Sequence, residues 1–272
     1  MIRARTSSAC RATLLRNISY RLLRVWQRNF DVSRVTWKTN VLPPLLEPML
    51  YIFAFGFGLG AYVERISFQG RTYDYVAFLA PGMVAVGVMF HSVFECMYGA
   101  FVRMRYQKTF EAILHTPLLI EDILAGEVLW GATKGLFAGT AILAVITAFG
   151  LASYPASLLI LPASFAAGIM FAGFGLLFAA VSPYIDNLNL PTFLFITPMF
   201  LFSGTFFPLD GMPTWLKAVA AALPLTHLVE VTRAAAFGRL SWGLAVNFAF
   251  LAVVGLAVSY QAIKLMKGRL IK

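Results

Sequence analysis

Six apolar runs alternate with short polar intervals along the chain, at about 41–61, 75–100, 123–149, 157–181, 190–207 and 244–264. A hydrocarbon core of roughly 30 Å needs about 20 apolar residues of helix, so each run is long enough to cross it once. The pattern predicts an all-α membrane protein with six transmembrane helices. Ahead of the first run, Leu15, Ile18, Leu22, Val25 and Trp26 recur at helical spacing while Arg21, Arg24 and Arg28 fall on another face. A helix of that kind lies in the headgroup layer, Trp at the boundary and Arg toward anionic lipid. The other reading is a basic tail that only fixes topology. The chain therefore divides into a basic tail with an interfacial amphipathic helix at 1–38 and a six-span body at 39–272.

Two polar intervals carry patterns of their own. Between the second and third runs, 101–117 reads FVRMRYQKTFEAILHTP. Phe101, Met104, Phe110, Ile113 and Leu114 alternate there with Arg103, Arg105, Lys108 and Glu111, which suits a short amphipathic helix at a membrane surface ended by Pro117. An ordinary connecting loop would also satisfy this pattern. Between the fifth and sixth runs, PTWLKAVAAAL and LTHLVEVTRAAAF are apolar but only eleven and thirteen residues long, with Pro224 between them. Each is too short to cross, and joined as one span they would bury Lys217, Glu230 and Arg233. The expectation over 208–243 is a re-entrant pair of short helices in the outer leaflet.

Composition supports the membrane class. Of the 272 residues 60% are hydrophobic and 12% charged, with a mean hydropathy of +0.77, whereas a soluble domain carries about twice that charge. Charge also orients the chain. With the amino terminus in the cytoplasm, the tail, the 101–117 interval and the carboxyl terminus hold 16 of the 22 basic residues. Five (Arg65, Arg71, Lys217, Arg233, Arg239) fall on the other side, and Lys134 lies within a span. That asymmetry places both termini inside. Residues 1–38 hold nine basic side chains and one acid, Asp31, without the apolar core and cleavage site of a removable signal peptide.

Little of the familiar site chemistry is present. Cys10 and Cys96 have no obvious bridging partner, and His91, His115 and His227 lack the spacing of a metal site. No glycine precedes a lysine, which excludes a Walker A loop; ATP, if used, binds another polypeptide. The remaining candidates are residues costly to bury. Glu47, Glu95, Glu127 and Lys134 lie within spans, where each ionised group costs on the order of 2.5–3.5 kcal/mol. Helical rise brings the three acids to a similar depth. They form either a polar network tied to the 101–117 interval or interhelical pairs that fix packing. Gly131, Gly135 and Gly139 step along one face of the third run, and Gly56, Gly58 and Gly60 crowd the end of the first, as close helix packing requires. In the fifth run Pro198 interrupts a segment in which Thr192, Phe195, Thr197, Met199, Phe202 and Ser203 are candidates to line a path or stack on cargo. Lipid-facing phenylalanine would look the same.

MRYQKTFEAILHTPL followed by EDILAGEVLWGATKG resembles the first cytoplasmic loop and third span of type-2 ABC-exporter permeases, closest to the nodulation protein J branch. LLEPMLYIFAFGFGLG, FLAPGMVA, TPMFLFSGTFFPLDGMPTWL, ALPLTH and TRAAAFG extend the match in the same order, over nearly the whole chain from Trp26. The resemblance implies a non-enzymatic membrane subunit in the bacterial cytoplasmic membrane. It implies pairing with a second copy and with two ATP-hydrolysing subunits that carry the ATP and magnesium, contact with membrane lipids, and no nucleic-acid partner. By position, Arg103, Arg105, Lys108, Thr109, Glu111, Leu114, Thr116 and Pro117 would form or shape the coupling helix that meets the ATPase. Many relatives carry an acid and a glycine where this chain has Tyr106 and Lys108, which leaves the choice of ATPase open. The implied cargo is a lipo-oligosaccharide or related amphiphile, with efflux of hydrophobic drugs as an alternative. An ion-coupled secondary transporter using Glu47, Glu95, Glu127 and Lys134 as a relay is the competing class; it predicts two homologous halves, and no clear internal repeat is present.

Overall fold

The structure, a computed structural model, describes residues 19–60, 65–68, 70–239 and 241–270. Leu22–Val35 forms α1, and after a break at Thr36 the chain continues as α2, Trp37–Phe53, prolonged by a π-helical turn over Ala54–Leu59. A small antiparallel hairpin follows, β1 Arg65–Phe68 paired with β2 Arg71–Asp74 in the register Arg65↔Asp74 and Phe68↔Arg71. Gly70 turns it with φ +74°, a conformation open to glycine without penalty. Then come α3 (Tyr75–Arg105), the six-residue α4 (Thr109–Leu114), α5 (Ile120–Ala148), α6 (Ala156–Val181) and α7 (Ile185–Phe202). The short α8 (Thr214–Ala222) and α9 (Pro224–Ala236) precede α10 (Trp242–Leu270).

Among the described residues, α3, α5, α6, α7 and α10 are long and apolar enough to cross a membrane. They match five of the six expected spans, each displaced by only a few residues. The sixth expected span, 41–61, falls on α2 and its π turn. The side chain of Glu47 lies outside the described residues, as do Cys10 and the tail residues Arg3, Arg5, Arg11 and Arg16.

The core is built on α3, α5 and α6, with α10 lying along α6, α9 against α3 and α10, α1 along α5, and α2 across α3 and α5. The expected glycine ladder explains the close fit. A Cβ at Gly131 would meet Cys96 Sγ and Ala172, at Gly135 it would collide with the Ser92 hydroxyl, and at Gly139 it would meet Ser164 and Val88. Without side chains there, α5 approaches α3 and α6 nearly backbone to backbone. α7 is much more exposed than α3, with Leu190, Phe193 and Leu194 forming part of an uncovered apolar face.

The two ends of the bundle differ. At one end gather the start of α1, α4, the start of α5 and the end of α10. There Asp122 accepts from the Ser19 N–H at 2.7 Å, and Lys267 pairs with Glu121 at 2.5 Å. Arg269 donates to the Ala179 and Ala180 carbonyls at 2.7 and 3.2 Å, satisfying the last turn of α6. At the other end lie the hairpin and the α8/α9 pair, joined by stacking of Tyr73 on Phe237 at 4.2 Å. The two short helices expected over 208–243 are present, and Arg233 on α9 is 3% exposed. Its guanidinium donates to the carbonyls of Phe78, Gly204 and Thr205 and lies 3.8 Å over the Phe78 ring. Burial there is met by carbonyl acceptors within the protein and needs no aqueous route.

Candidate functional site

Three of the four expected intramembrane charges, Glu95, Glu127 and Lys134, gather around an arginine that the sequence pattern assigned elsewhere. A π-helical turn over Glu95–Gly99 interrupts α3, and such a turn re-aims the side chains around it. Two helical turns after Glu95, on the same side of α3, stands Arg103. Its guanidinium donates to Glu95 at 2.8 Å and to Glu127 on α5 at 2.5 and 3.0 Å. Gly99 makes this possible, because a Cβ there would lie 3.0 Å from the Glu95 carboxylate and 3.3 Å from the Arg103 guanidinium. Lys134 on α5 closes the other side of Glu95 at 2.8 Å, and the Trp130 indole donates to Glu95 at 3.0 Å.

Neutral amides extend the network into the amino-terminal helices. Asn29 on α1 donates to Glu127 at 3.2 Å, Arg28 donates to Asn29 at 2.6 Å, and Lys134 donates to Asn40 on α2 at 2.7 Å. Four helices are thus tied through one cluster of charges, with Glu127 fully buried. In a low-dielectric interior such pairs hold only when every member is satisfied, and the loss of one leaves the others uncompensated.

The interval 101–117 begins in the last turns of α3 and continues past its end. Arg105, Tyr106, Gln107 and Lys108 are exposed, and Lys108 adopts a left-handed backbone, φ 52°. That reversal starts α4, whose Phe110 is 1% exposed and pins the helix to the bundle. Glu111, Ala112, Leu114, His115, Thr116 and Pro117 stay exposed around it. Arg21, the residue that caps the start of α1, donates to the Pro117 carbonyl, so the segment is anchored at both ends.

The candidate coupling residues therefore separate into two groups. Arg105, Lys108, Glu111, Leu114, Thr116 and Pro117 present an outward surface, and Thr109 is half-buried. Arg103 faces the other way; its side chain is 14% exposed and belongs to the ion-pair network. Position in the sequence did not reveal this, since eight residues of regular helix leave Arg103 about 80° from the face of Glu95, and the π-helical turn between them restores the alignment. Asn29 and Asn40 were missed because a neutral amide on an amphipathic helix carries no charge signature.

The candidate path residues are placed less openly than the pattern suggested. The hydroxyls of Thr192, Thr197 and Ser203 donate to the carbonyls of Leu188, Thr192 and Met199 on their own helix. Phe195 packs on Phe174 and Phe178 with ring centroids 5.2 and 5.6 Å apart, and Met199 is buried. Of the six, Phe202 is exposed. Among the described residues there is no group of three or more His, Cys, Asp or Glu arranged to hold a metal ion.

Comparison with known proteins adds a direct constraint. Residues 20–237 match the model of a family described as "ABC-2 type transporter". The chain is 35% identical over 249 residues to nodulation protein J of Sinorhizobium fredii, covering 92% of this chain and 94% of that protein. It is 38% identical over 217 residues to nodulation protein J of Rhizobium leguminosarum bv. viciae, covering 80% and 82%. It is 25% identical over 238 residues to the inner membrane transport permease YadH of Escherichia coli, covering 85% and 89%.

Proposed function

We propose, from the premise that this chain belongs to the ABC-2 type transporter family, that it is the permease subunit of an ATP-driven exporter whose separate ATPase engages α4. The observation that carries this reading is the build of α4: a six-residue helix held inward by buried Phe110 and half-buried Ile113, with an exposed surface bearing Glu111 and Leu114. A force applied there meets two rigid connections. Through the end of α3 it meets Arg103 and the ion-pair network; through Pro117 it meets Arg21 and α1. Displacement of α4 would then move α1, α3 and α5 together.

The similarity to nodulation protein J supports a lipo-oligosaccharide or related amphiphile as cargo, moved outward by a complex of two such chains and two ATP-binding subunits. A chain with few spans is small for a complete path, and pairing with a second copy would enclose one. The network gives no support to an ion relay, because Glu95 and Glu127 are each engaged by cations.

Reconstitution with an ATP-binding subunit that co-purifies with this chain tests the reading. Glu111→Ala is expected to leave the fold intact and to lower ATPase stimulation roughly fivefold or more, as loss of one interfacial charge contact does. A pair of subunits that neither associate nor respond to that change would remove the coupling role.

A further inference from the structure

Two cavities meet at the Asn40–Lys134 hydrogen bond, between α1 and α2 on one side and α3 and α5 on the other. One, of about 380 Å³, is walled by Phe30, Trp37, Trp130 and Phe137, with Arg34 and Lys134 as its charged residues; no carboxylate is among the described residues that line it. The other, of about 580 Å³, is polar, contains Arg28, Glu95 and Arg103, and reaches Gln107 and Thr109 beside α4. Ser33, Asn40, Trp130 and Lys134 line both. Together they make one cleft, aromatic toward one end and cationic toward the other.

Charge among the described residues of the cleft does not balance. Arg28, Arg34, Arg103 and Lys134 face two carboxylates, Glu95 and Glu127. Arg103 and Lys134 are paired directly, which leaves Arg34, exposed at the aromatic end, and Arg28, half-buried at the other. The Nη2 of Arg28 donates to the neutral Asn29, while its Nε is buried and has no acceptor. An arginine keeps its proton even when burial opposes the charge, so a half-buried guanidinium with an empty donor costs free energy until an anion reaches it.

We propose that this cleft binds an anionic phospholipid, its phosphate against Arg28 and an acyl chain along Phe30, Trp37, Trp130 and Phe137. The neighbourhood suits that ligand. α1 carries Arg24, Arg28 and Arg34, with Arg21 at its N-cap, and basic amphipathic helices collect anionic lipid. A phosphodiester supplies the missing acceptor, and aromatic walls accept a chain that water would not fill. The site needs no cargo and no nucleotide, so it stands independently of the export reading.

The full chain, purified and placed in bilayer discs of phosphatidylcholine with or without phosphatidylglycerol, tests this by native mass spectrometry and by melting temperature. The wild-type chain is expected to retain phosphatidylglycerol over phosphatidylcholine by roughly tenfold or more, the equivalent of one charge-assisted hydrogen bond. Phosphatidylglycerol should also raise its melting temperature. Arg28→Gln should abolish both effects while melting in pure phosphatidylcholine no lower than wild type, because it removes an uncompensated charge. Phe137→Gln should weaken retention of the lipid through the chain alone. Equal retention of both lipids, or an Arg28→Gln chain that still selects phosphatidylglycerol, overturns the proposal. So does stabilisation by inorganic phosphate equal to that by the lipid, which would make the site one for a free anion.

Discussion

Lys108 sits in left-handed backbone, and among the described non-glycine residues it is alone in doing so. The conformation costs an L-residue about 1–2 kcal/mol. Its side chain returns little, since the pair with Glu111 is 3.9 Å long and both groups are largely exposed. Lys108→Gly is therefore expected to raise stability by about 0.5–1 kcal/mol after allowing for the freer unfolded chain, read as a higher midpoint in thermal unfolding. Glu127 is the opposite case. Buried, and bonded to Arg103 and Asn29, it cannot leave without stranding a cation. Glu127→Ala should cost about 3–5 kcal/mol, seen as a large fall in melting temperature or in the yield of folded protein. Single residues were the least legible part of the sequence. The three acids of the spans declared themselves by cost, but Arg103, the partner of Glu95 and Glu127, stood in a polar interval and read as surface. Arg233 was legible as expensive to bury, while the carbonyls that receive it come from distant segments that one-dimensional pattern cannot bring together.

At the level of helices, the apolar runs were legible because crossing a bilayer imposes one length on every span. The small β1/β2 hairpin was not, since its eight residues are largely polar and alternate too briefly to signal pairing. The π turns also left no mark, for they add a residue to a helix without altering its composition, yet one of them sets Glu95 in the network. Contact between helices depends on backbone approach, and α6 gives the sharpest instance. A Cβ at Gly175 would collide with the Val93 carbonyl and lie 3.0 Å from the Met97 N–H, both backbone atoms of α3 that cannot rotate away. Gly175→Ala is expected to destabilise by about 1–3 kcal/mol. Gly268→Ala on α10, where nothing lies within 4 Å, should instead stabilise by up to about 1 kcal/mol. Comparing the two variants by denaturation separates a packing requirement from simple helix propensity; equal effects would show that α6 and α3 are not held this closely.

For the whole molecule, the distribution of charge and the arrangement of ends make one statement. The end that holds α4 also collects Arg21, Arg24, Arg105, Lys108, Lys267 and Arg269. The opposite end, with the hairpin and α8/α9, places Arg233 inside the protein and leaves fewer basic groups at the surface. Insertion follows short basic segments, which are retained on the cytoplasmic side, so the exposed surface of α4 should face the compartment where ATP is available. Asp210 lies in the exposed loop before α8, at the far end of the bundle. In a chain whose own cysteines are replaced, Lys108→Cys should resist a membrane-impermeant thiol reagent added to intact cells and react once the membrane is opened. Asp210→Cys should react in both conditions. The reverse pattern would put α4 outside, beyond reach of any cytoplasmic ATPase, and the mechanical link from α4 through Arg103 to α5 would then have no source of force.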